Sequence, residues 1–236
     1  MLANSSFTPS NVNGTDEEKC FSISVDYTGD GIIEYYSNDN RHNTIFKFET
    51  TQANQNCGIF DIVQANEFQP VTIDWGDGTI ERIPEEVNFS SRILKAGSQA
   101  AIEAKTHKYA SAGTYYAKIL NAKCCSGYRS GQSTDNNKTL TEIQLGDDIT
   151  DINDYAFYNC QKINNVKIYG KESISHIGAY AFYNCNSLPS IDVPDVSSIG
   201  ENAFNKCSKL AEITIPNSVS SIEKGTFADC SKLSSI

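Results

Sequence analysis

The sequence predicts a mainly β protein in which a β-sandwich precedes a solenoid of short stacked coils. Three observations support this prediction. The first half contains short runs in which apolar and polar residues alternate, the pattern of half-buried strands. The second half repeats one motif every 22 to 25 residues, which is typical of a solenoid. The chain has 236 residues and is 39% hydrophobic, which is enough for one large domain or two ordinary ones.

The charge and hydropathy of the chain exclude some partners. It carries 19 basic and 29 acidic residues, giving a net charge of −10. Such a surface repels polyanions, so nucleic acid is not expected as a partner. No stretch has the roughly 20 apolar residues that span a bilayer, and the N-terminus lacks the regions of an export signal. Membrane insertion is therefore not predicted, and a cytoplasmic protein, a mature exported segment and a virion component remain as alternatives.

The sandwich is expected over residues 19–122, after an N-terminal extension of residues 1–18. Its strands are predicted in the alternating runs CFSISVDY, GIIEYYS, NTIFKFETT, CGIFDIVQA, PVTIDWG and GTYYAKILNA. The single tryptophan, Trp75, is expected to anchor the core. Asp74 and Asp77 flank the turn that follows, and we expect them to accept backbone hydrogen bonds rather than to bind calcium or act in catalysis.

Two motifs give this half a family resemblance. W-G-D-G-T at residues 75–79 is followed by H-x-Y-x-x-x-G-T-Y at residues 107–115. Together they resemble the PKD domain, an immunoglobulin-like sandwich of extracellular proteins, over residues 71–120. The resemblance implies that the tryptophan packs inside and that the histidine and tyrosine of the second motif fix the strand leading to its glycine. The insert at residues 82–106 departs from the usual short connection.

A linker is expected at residues 123–138, which are polar, rich in small residues and without periodicity. Four cysteines outside the repeats are able to form a disulfide in an oxidising compartment: Cys20, Cys57, Cys124 and Cys125. Adjacent residues of a strand point to opposite faces. At most one of the last two is therefore expected in the core.

The second half, residues 139–236, is expected to form four coils and the start of a fifth. Each copy carries a phenylalanine followed three residues later by a cysteine, at Phe157, Phe182, Phe204 and Phe227. Two apolar clusters per copy predict two short strands, and a short helical turn carrying Ala-Phe-x-x-Cys is expected to close the coil. Because one coil cannot bury these residues alone, we expect the coils to stack, with the phenylalanines as a spine and the cysteines as buried free thiols.

The repeat resembles the BspA-type leucine-rich repeat, whose consensus is roughly L-x-x-I-x-I-P-x-S-V-x-x-I-G-x-x-A-F-x-x-C-x-x-L. Residues 210–233 match it almost position for position, and the resemblance covers residues 140–236. Departures are Gly-Asp-Asp for proline in the first coil, a Tyr-Gly insertion in the second and Thr226 for alanine in the fourth. Members of this family are mostly bacterial surface proteins that look like adhesins. The resemblance therefore implies a cell-surface or extracellular protein.

The chemistry of the sequence favours recognition over catalysis. It contains no catalytic triad order, phosphate loop, zinc motif or cofactor fingerprint, so no catalytic residue, metal site or cofactor is predicted. The expected function is adhesion or recognition, with the repeats binding a protein or glycan on another cell. The alternatives are a phage virion protein, serving in receptor binding or assembly, and a purely structural spacer. The last coil has no polar cap, which allows an assembly partner at the C-terminal end of the repeats.

Two surfaces of the repeats are candidate ligand sites. The outward residues of the first strands are polar and comprise Glu142, Gln144, Asn165, Lys167, Asp192 and Glu212. Simple solvation of this face is the alternative. The second surface is aromatic, because Tyr155 and Tyr158 recur in the next coil as Tyr180 and Tyr183. Tyrosines suit protein or glycan contacts since they bury much area at low entropic cost, although these rings could also pack against the linker or the sandwich.

Overall fold

The computed structural model describes residues 43–64, 71–83, 103–128, 130, 134–170 and 174–234. The predicted N-terminal extension, the first two predicted strands, Cys20 and residues 84–102 of the insert lie outside this part of the chain. The described part is mainly β, as predicted. The helix α1 (Asn136–Thr139) has only four residues.

The first half contributes strands to two sheets. The strands are β1 (Thr44–Thr50), β2 (Asn56–Gln64), β3 (Val71–Asp74), β4 (Ile80–Ile83), β5 (Glu103–Lys108), β6 (Gly113–Leu120) and β7 (Ala122–Ser126). One sheet begins with the order β4-β3-β6-β1, the other has the order β5-β2-β7, and all neighbours within these runs are antiparallel. Trp75 is fully buried, which confirms its predicted place in the core. Its carbonyl oxygen accepts a hydrogen bond of 3.0 Å from the Tyr109 hydroxyl.

Two aspartates, Asp74 and Asp77, stabilise the turn at Trp75. Asp74 Oδ1 accepts the Gly76 N–H at 2.9 Å, and Asp77 Oδ1 accepts the Thr79 N–H at 3.0 Å, so the predicted role of both residues is confirmed. The other oxygen of Asp77 lies 2.7 Å from His107 Nε2. Partial burial works to raise the pKa of Asp77, but the hydrogen bonds from His107 and Thr79 outweigh it and hold the pKa below its ordinary value.

The repeats contribute short parallel strands. They are β8 (Leu140–Leu145), β9 (Asn165–Ile168), β10 (His176–Ile177), β11 (Ser190–Ile191), β12 (Ser198–Ile199) and β13 (Glu212–Ile213). β8 pairs with β9, β10 with β12, and β11 with β13. The second and third coils each contribute two strands, as their two apolar clusters predict. The first and fourth coils contribute one strand each, β8 and β13.

One sheet runs through both halves of the chain. β1 pairs with β6 on one side and with β8 on the other, so the complete order is β4-β3-β6-β1-β8-β9. The phenylalanine rings of the two halves meet as well, with the centroids of Phe46 and Phe157 5.8 Å apart. β8 would otherwise be an edge strand with unpaired N–H and C=O groups, and β1 covers that edge.

Residues 123–138, expected to be a linker, include ordered and buried groups. They contain most of β7 and most of α1, and Asn136 is buried. The Asn136 side chain accepts the Gly58 N–H at 2.9 Å and donates to the carbonyls of Gly58 and Gly127 at 2.7 and 2.8 Å. This polar residue can be buried because its side-chain amide is hydrogen-bonded to backbone groups of Gly58, in β2, and of Gly127, which follows β7.

Both adjacent cysteines of β7 are buried, with Cys124 and Cys125 exposed by 2% and 3%. The prediction that at most one would enter the core is wrong, because β7 is covered on both faces. Cys125 belongs to the apolar cluster, whereas the Cys124 sulfur lies 2.8 Å from Asn153 Nδ2 in the first coil. The described cysteines are free thiols, and the prediction of buried repeat thiols is confirmed at Cys160, Cys185 and Cys207, with Cys230 half-buried.

Candidate recognition site

A column of phenylalanines sets the spacing of the repeats. Successive ring centroids are 5.3 Å apart for Phe157 and Phe182, 5.4 Å for Phe182 and Phe204, and 5.8 Å for Phe204 and Phe227. The first three rings are fully buried. The predicted spine is therefore confirmed, and it places equivalent outward residues of neighbouring coils directly beside each other.

Backbone hydrogen bonds fix the turn layer in the same register. From the first coil to the second, Tyr155 N–H donates to Ala179 O at 2.8 Å, and Phe157 N–H donates to Ala181 O at 2.7 Å. Asn159 N–H completes the set by donating to Tyr183 O at 2.8 Å. The same three bonds recur between the later coils. Main-chain hydrogen bonds thus align the turns of neighbouring coils. Equivalent side chains on this layer form rows whose positions do not depend on contacts between the side chains themselves.

The repeat thiols act as hydrogen-bond donors rather than as nucleophiles. The sulfur of Cys185 donates to Phe157 O at 3.3 Å, and that of Cys207 donates to Phe182 O at 3.1 Å. Burial raises the pKa of the Cys160 thiol to about 12. A thiol that stays protonated inside the core is chemically inert, so the cysteines are structural.

Four tyrosines form a compact group on the outside of the turn layer. Tyr155 stacks on Tyr180 with centroids 5.0 Å apart and planes at 1°, and Tyr158 stacks on Tyr183 at 4.9 Å and 7°. Within each coil the two centroids are 5.6 and 5.7 Å apart. We call these four residues the tyrosine array. Tyr155 is 43% exposed and the other three are half-buried.

Two further residues contact the outer ends of the stacked pair of Tyr158 and Tyr183; we call each of the two stacked pairs a column of the array. The Tyr128 ring lies 4.9 Å from that of Tyr158, and Lys206 Nζ lies 5.2 Å from the centroid of Tyr183. The alternative that these tyrosines pack against the predicted linker therefore holds at Tyr158. The sequence reasoning missed both Tyr128 and Lys206. Lys206 aligns with Asn184, since both are the second residue after the phenylalanine of their coil, and that alignment gives no signal for a contact with a ring.

Tyr155 and Tyr180 adopt an unusual backbone conformation. Their φ angles are 61° and 56°, in the left-handed region. The equivalent residues of the third and fourth coils are Asn202 and Gly225, with φ of 56° and 67°. Glycine and asparagine suit this conformation, whereas a bulky side chain there costs about 1 to 3 kcal/mol. At this position the first two coils therefore carry strain that the last two avoid, and the third coil carries a left-handed long side chain four residues further on, at Lys206 with a φ of 63°.

The surroundings of Tyr155 and Tyr158 favour the protonated form of their hydroxyls. Partial burial, followed by the neighbouring Tyr180 and Asp154, raises the pKa of Tyr155. Partial burial and Tyr183 likewise raise the pKa of Tyr158. Within the described part of the chain, the hydroxyls of Tyr155, Tyr158 and Tyr180 have no hydrogen-bond partner. These phenols are able both to donate and to accept a hydrogen bond at the surface.

The polar candidates on the strand face are divided between two roles. Glu142 Oε1 lies 2.6 Å from Lys47 Nζ, and its Oε2 accepts Asn165 Nδ2 at 3.2 Å. Gln144 Nε2 donates to Asn43 O at 3.1 Å. Glu142 and Gln144 thus contact the first half of the chain. The other candidates, apart from the half-buried Asn165, are exposed in later coils: Lys167 on β9, Asp192 directly after β11, and Glu212 on β13.

Neither a metal cluster nor a membrane-spanning helix occurs among the described residues. No group of three or more His, Cys, Asp or Glu side chains there is placed to hold a metal ion. No helix there is long and apolar enough to cross a membrane.

Comparison with protein families identifies the second half. Residues 131–236 match the BspA type leucine rich repeat region, in six copies. The match covers 106 of the 236 residues, and it shows that this part of the chain is similar to BspA-type leucine-rich repeats. The match begins nine residues before the predicted start at residue 140, and it contains more copies than the four complete coils that were predicted.

Solved structures of leucine-rich repeat proteins share partial similarity with the chain. A leucine-rich repeat protein from Bacteroides ovatus is 34% identical, with a TM-score of 0.37, over 40% of this chain and 24% of that one. A leucine rich cell surface protein from Faecalibacterium prausnitzii is 31% identical, with a TM-score of 0.38, over 40% and 25% of the two chains. A T. pallidum leucine rich repeat protein is 22% identical, with a TM-score of 0.34, over 45% and 66%.

The similarity to these structures is limited in extent. The chain spans about a quarter of the length of the first two proteins and about two thirds of the third. No protein of curated function matches the chain significantly.

Proposed function

We propose that this protein is a non-enzymatic recognition protein and that its BspA-type repeats bind a partner on another cell through the tyrosine array. The observation that carries the proposal is the left-handed backbone of Tyr155 and Tyr180. Asn202 and Gly225 occupy the same place in later coils, so the fold itself accepts residues that cause less strain.

The energies give these tyrosines no clear advantage in packing. Two tyrosines in the left-handed region cost about 2 to 6 kcal/mol together, at about 1 to 3 kcal/mol each. They take part in three aromatic pairs, one with each other and one each with Tyr158 and Tyr183, which return about 1.5 to 4.5 kcal/mol at about 0.5 to 1.5 kcal/mol per pair. This return is of the same size as the strain, so the packing of the rings does not by itself favour tyrosine at these positions. Strained residues concentrate at binding sites, where the surrounding structure holds them, and tyrosine is among the residues enriched at interface hot spots.

The first half of the chain has a supporting role in this proposal. Its two sheets enclose Trp75, and we assign them to a PKD-like sandwich within residues 19–122. β1 of this unit covers the edge of β8 and so acts as the N-terminal cap that repeat proteins need for solubility. Lys47, Glu142 and Gln144 belong to this cap and not to the ligand site.

The proposed location is the cell surface or the extracellular space. The support is the family match over residues 131–236, because BspA-type repeats occur mostly in bacterial surface proteins. A protein or a glycan on another cell is the proposed partner. A virion protein and a structural spacer are the competing roles, and the test below separates them.

Binding of the whole chain to immobilised matrix proteins, mucins, glycans and intact cells tests the proposal. The key variant is Tyr155→Asn with Tyr180→Asn, which installs the residue that the third coil uses at this position. We expect saturable binding by the wild-type protein and at least about a tenfold loss of affinity in the double variant. The matched control is Tyr169→Asn, since Tyr169 is 40% exposed on the same repeats but lies outside the array.

The outcomes separate the candidate roles. Array-dependent binding to host components supports the adhesin, and array-dependent binding to bacterial envelopes supports the virion protein. Equal binding by the wild-type protein and the double variant would refute the array as the site. Absence of binding to any target would leave the spacer as the function.

A further inference from the structure

The array already holds a cation at one end. Lys206 Nζ lies over the Tyr183 ring at 5.2 Å, which is within the range of a cation–π contact. The opposite face of Tyr183 is occupied by Tyr158. Lys206 is exposed, so its ammonium group can leave this position without breaking the core. The outer face of Tyr183 is thus a cation position that solvent and a partner can reach.

Carboxylates surround the array. Asp154 directly precedes Tyr155, and its charge acts on the Tyr155 hydroxyl. Glu201 accepts the Asn202 side chain at 3.0 Å in the coil that follows the array. The charge of Asp229 acts on Lys206. All three carboxylates are exposed, and they belong to a chain with a net charge of −10.

The stacking of the rings limits what the array can bind. The inner faces of each column cover each other at 4.9 to 5.0 Å, which leaves ring edges, hydroxyls and the column ends. A sugar or a proline on the outer face of Tyr183 would replace the cation that Lys206 places there with an uncharged group. A planar guanidinium or an ammonium reproduces the contact that Lys206 makes, and the nearby carboxylates attract it.

We propose that the partner of the tyrosine array is a basic protein segment, whose arginine or lysine takes the place of Lys206 over Tyr183 while the phenols bind its backbone. This inference rests on the proposed function. Lys206 then competes with the partner's cation for the position over Tyr183, and this competition lowers the affinity of the array for its partner. Asp229 and Glu201 supply the negative charge that a partner's cation meets once Lys206 moves away.

Binding of short labelled peptides to the whole chain tests this inference. The probes are a peptide of alternating arginine and serine and two matched peptides with glutamine or glutamate in place of arginine. We expect the arginine peptide to bind most tightly. Tyr183→Asn should weaken that binding roughly tenfold, because it removes the ring without changing the net charge. Lys206→Gln should strengthen it about threefold or more, because the position over Tyr183 becomes free.

The variants distinguish a site from general attraction between opposite charges. Non-specific attraction would survive Tyr183→Asn, so equal affinity of that variant and the wild type would overturn the inference. Weaker binding by Lys206→Gln, preference for the glutamate peptide or no binding of the arginine peptide would also overturn it. Array-dependent binding of a glycan or an acidic protein would overturn this inference while the proposed function stands. Absence of any array-dependent ligand would refute both.

Discussion

Lys47 Nζ lies 2.6 Å from Glu142 Oε1, and this ion pair joins the first half of the chain to the first strand of the repeats. The pair lies on the outer face of the shared sheet, where β1 and β8 run antiparallel. Glu49 also lies 2.9 Å from the same ammonium. The hydrogen bonds that Lys47 donates to Glu142 and to Glu49 raise the pKa of Lys47. The bond from Lys47 lowers the pKa of Glu142.

Glu142→Gln should destabilise the protein at neutral pH and have no effect in acid. A carboxyl group whose pKa is lowered on folding stabilises the folded state above its unfolded pKa of about 4.3, and this stabilisation is lost as the pH falls through the lower folded value. The side chain is 36% exposed, so solvent screening limits the effect to about 0.5 to 1 kcal/mol. Urea unfolding at pH 7 and at pH 3 measures both values.

Glu49→Gln is the control for this pair, because Glu49 is 47% exposed and bonds to the same lysine without touching the repeats. It should cost less than Glu142→Gln at neutral pH. A Glu142→Gln difference that persists unchanged in acid would contradict an electrostatic role for this contact.

The two halves should unfold in one transition. β1 is hydrogen-bonded on both sides, and Phe46 contacts Phe157 across the boundary. Trp75 is the one tryptophan of the chain, so its fluorescence reports on the first half, whereas exposure of the Cys185 thiol reports on the second. Coincident denaturation curves are expected. Two separated curves would show that the halves are independent domains.

Phe46→Ala should lower the denaturation midpoint by the same amount in both curves, the tryptophan fluorescence and the thiol exposure. The ring is fully buried, and removing such a side chain costs about 3 to 5 kcal/mol. Because this ring packs against the first ring of the repeat spine, thiol exposure in the repeats should shift as far as the tryptophan signal does. A shift confined to the tryptophan signal would contradict the shared core.

Cys230 should be the first repeat thiol to react with a thiol reagent. It is half-buried, whereas Cys160, Cys185 and Cys207 are fully buried. Burial raises the pKa of all four, so reaction should be slow at neutral pH and should accelerate only on unfolding. Mass spectrometry of partially labelled native protein gives the order. Earlier labelling of Cys185 than of Cys230 would contradict it.

Tyr155→Asn and Tyr180→Asn should each leave the protein about as stable as the wild type. Asparagine relieves the left-handed strain of about 1 to 3 kcal/mol at each position, and the loss of two aromatic pairs, one to the neighbouring coil and one within the same coil, costs about 1 to 3 kcal/mol. Thermal unfolding of each variant measures the balance. A marked fall in Tm would show that the rings are needed for folding and would remove the main support for a binding role.

The repeats were predictable because their pattern is local and periodic. The phenylalanine spine and the buried thiols followed from the alignment of the copies, and both are confirmed. The pairing of β1 with β8 did not follow, because partners such as Lys47 and Glu142 are 95 residues apart and no local pattern records a distant strand pairing. The burial of Cys124 was missed for the same reason, since Asn153 of the first coil covers it.

The tyrosine array was predicted in part. The recurrence of the tyrosines identified the group, but not its stacking or its strained backbone. A signal for the strain was present, because the same column of the alignment holds Asn202 and Gly225, the two residue types that favour positive φ. Lys206 was missed because a lone exposed lysine carries no pattern of its own.

The thiol-to-carbonyl hydrogen bonds bear on where such repeats can fold. The sulfurs of Cys185, Cys207 and Cys230 each donate to a phenylalanine carbonyl of the preceding coil, so the column is complete with its cysteines reduced. Its stability then owes nothing to an oxidant or to a disulfide isomerase. A spine of this kind tolerates reducing and oxidising surroundings alike, and the repeats can keep one structure from the site of synthesis to the outside of a cell.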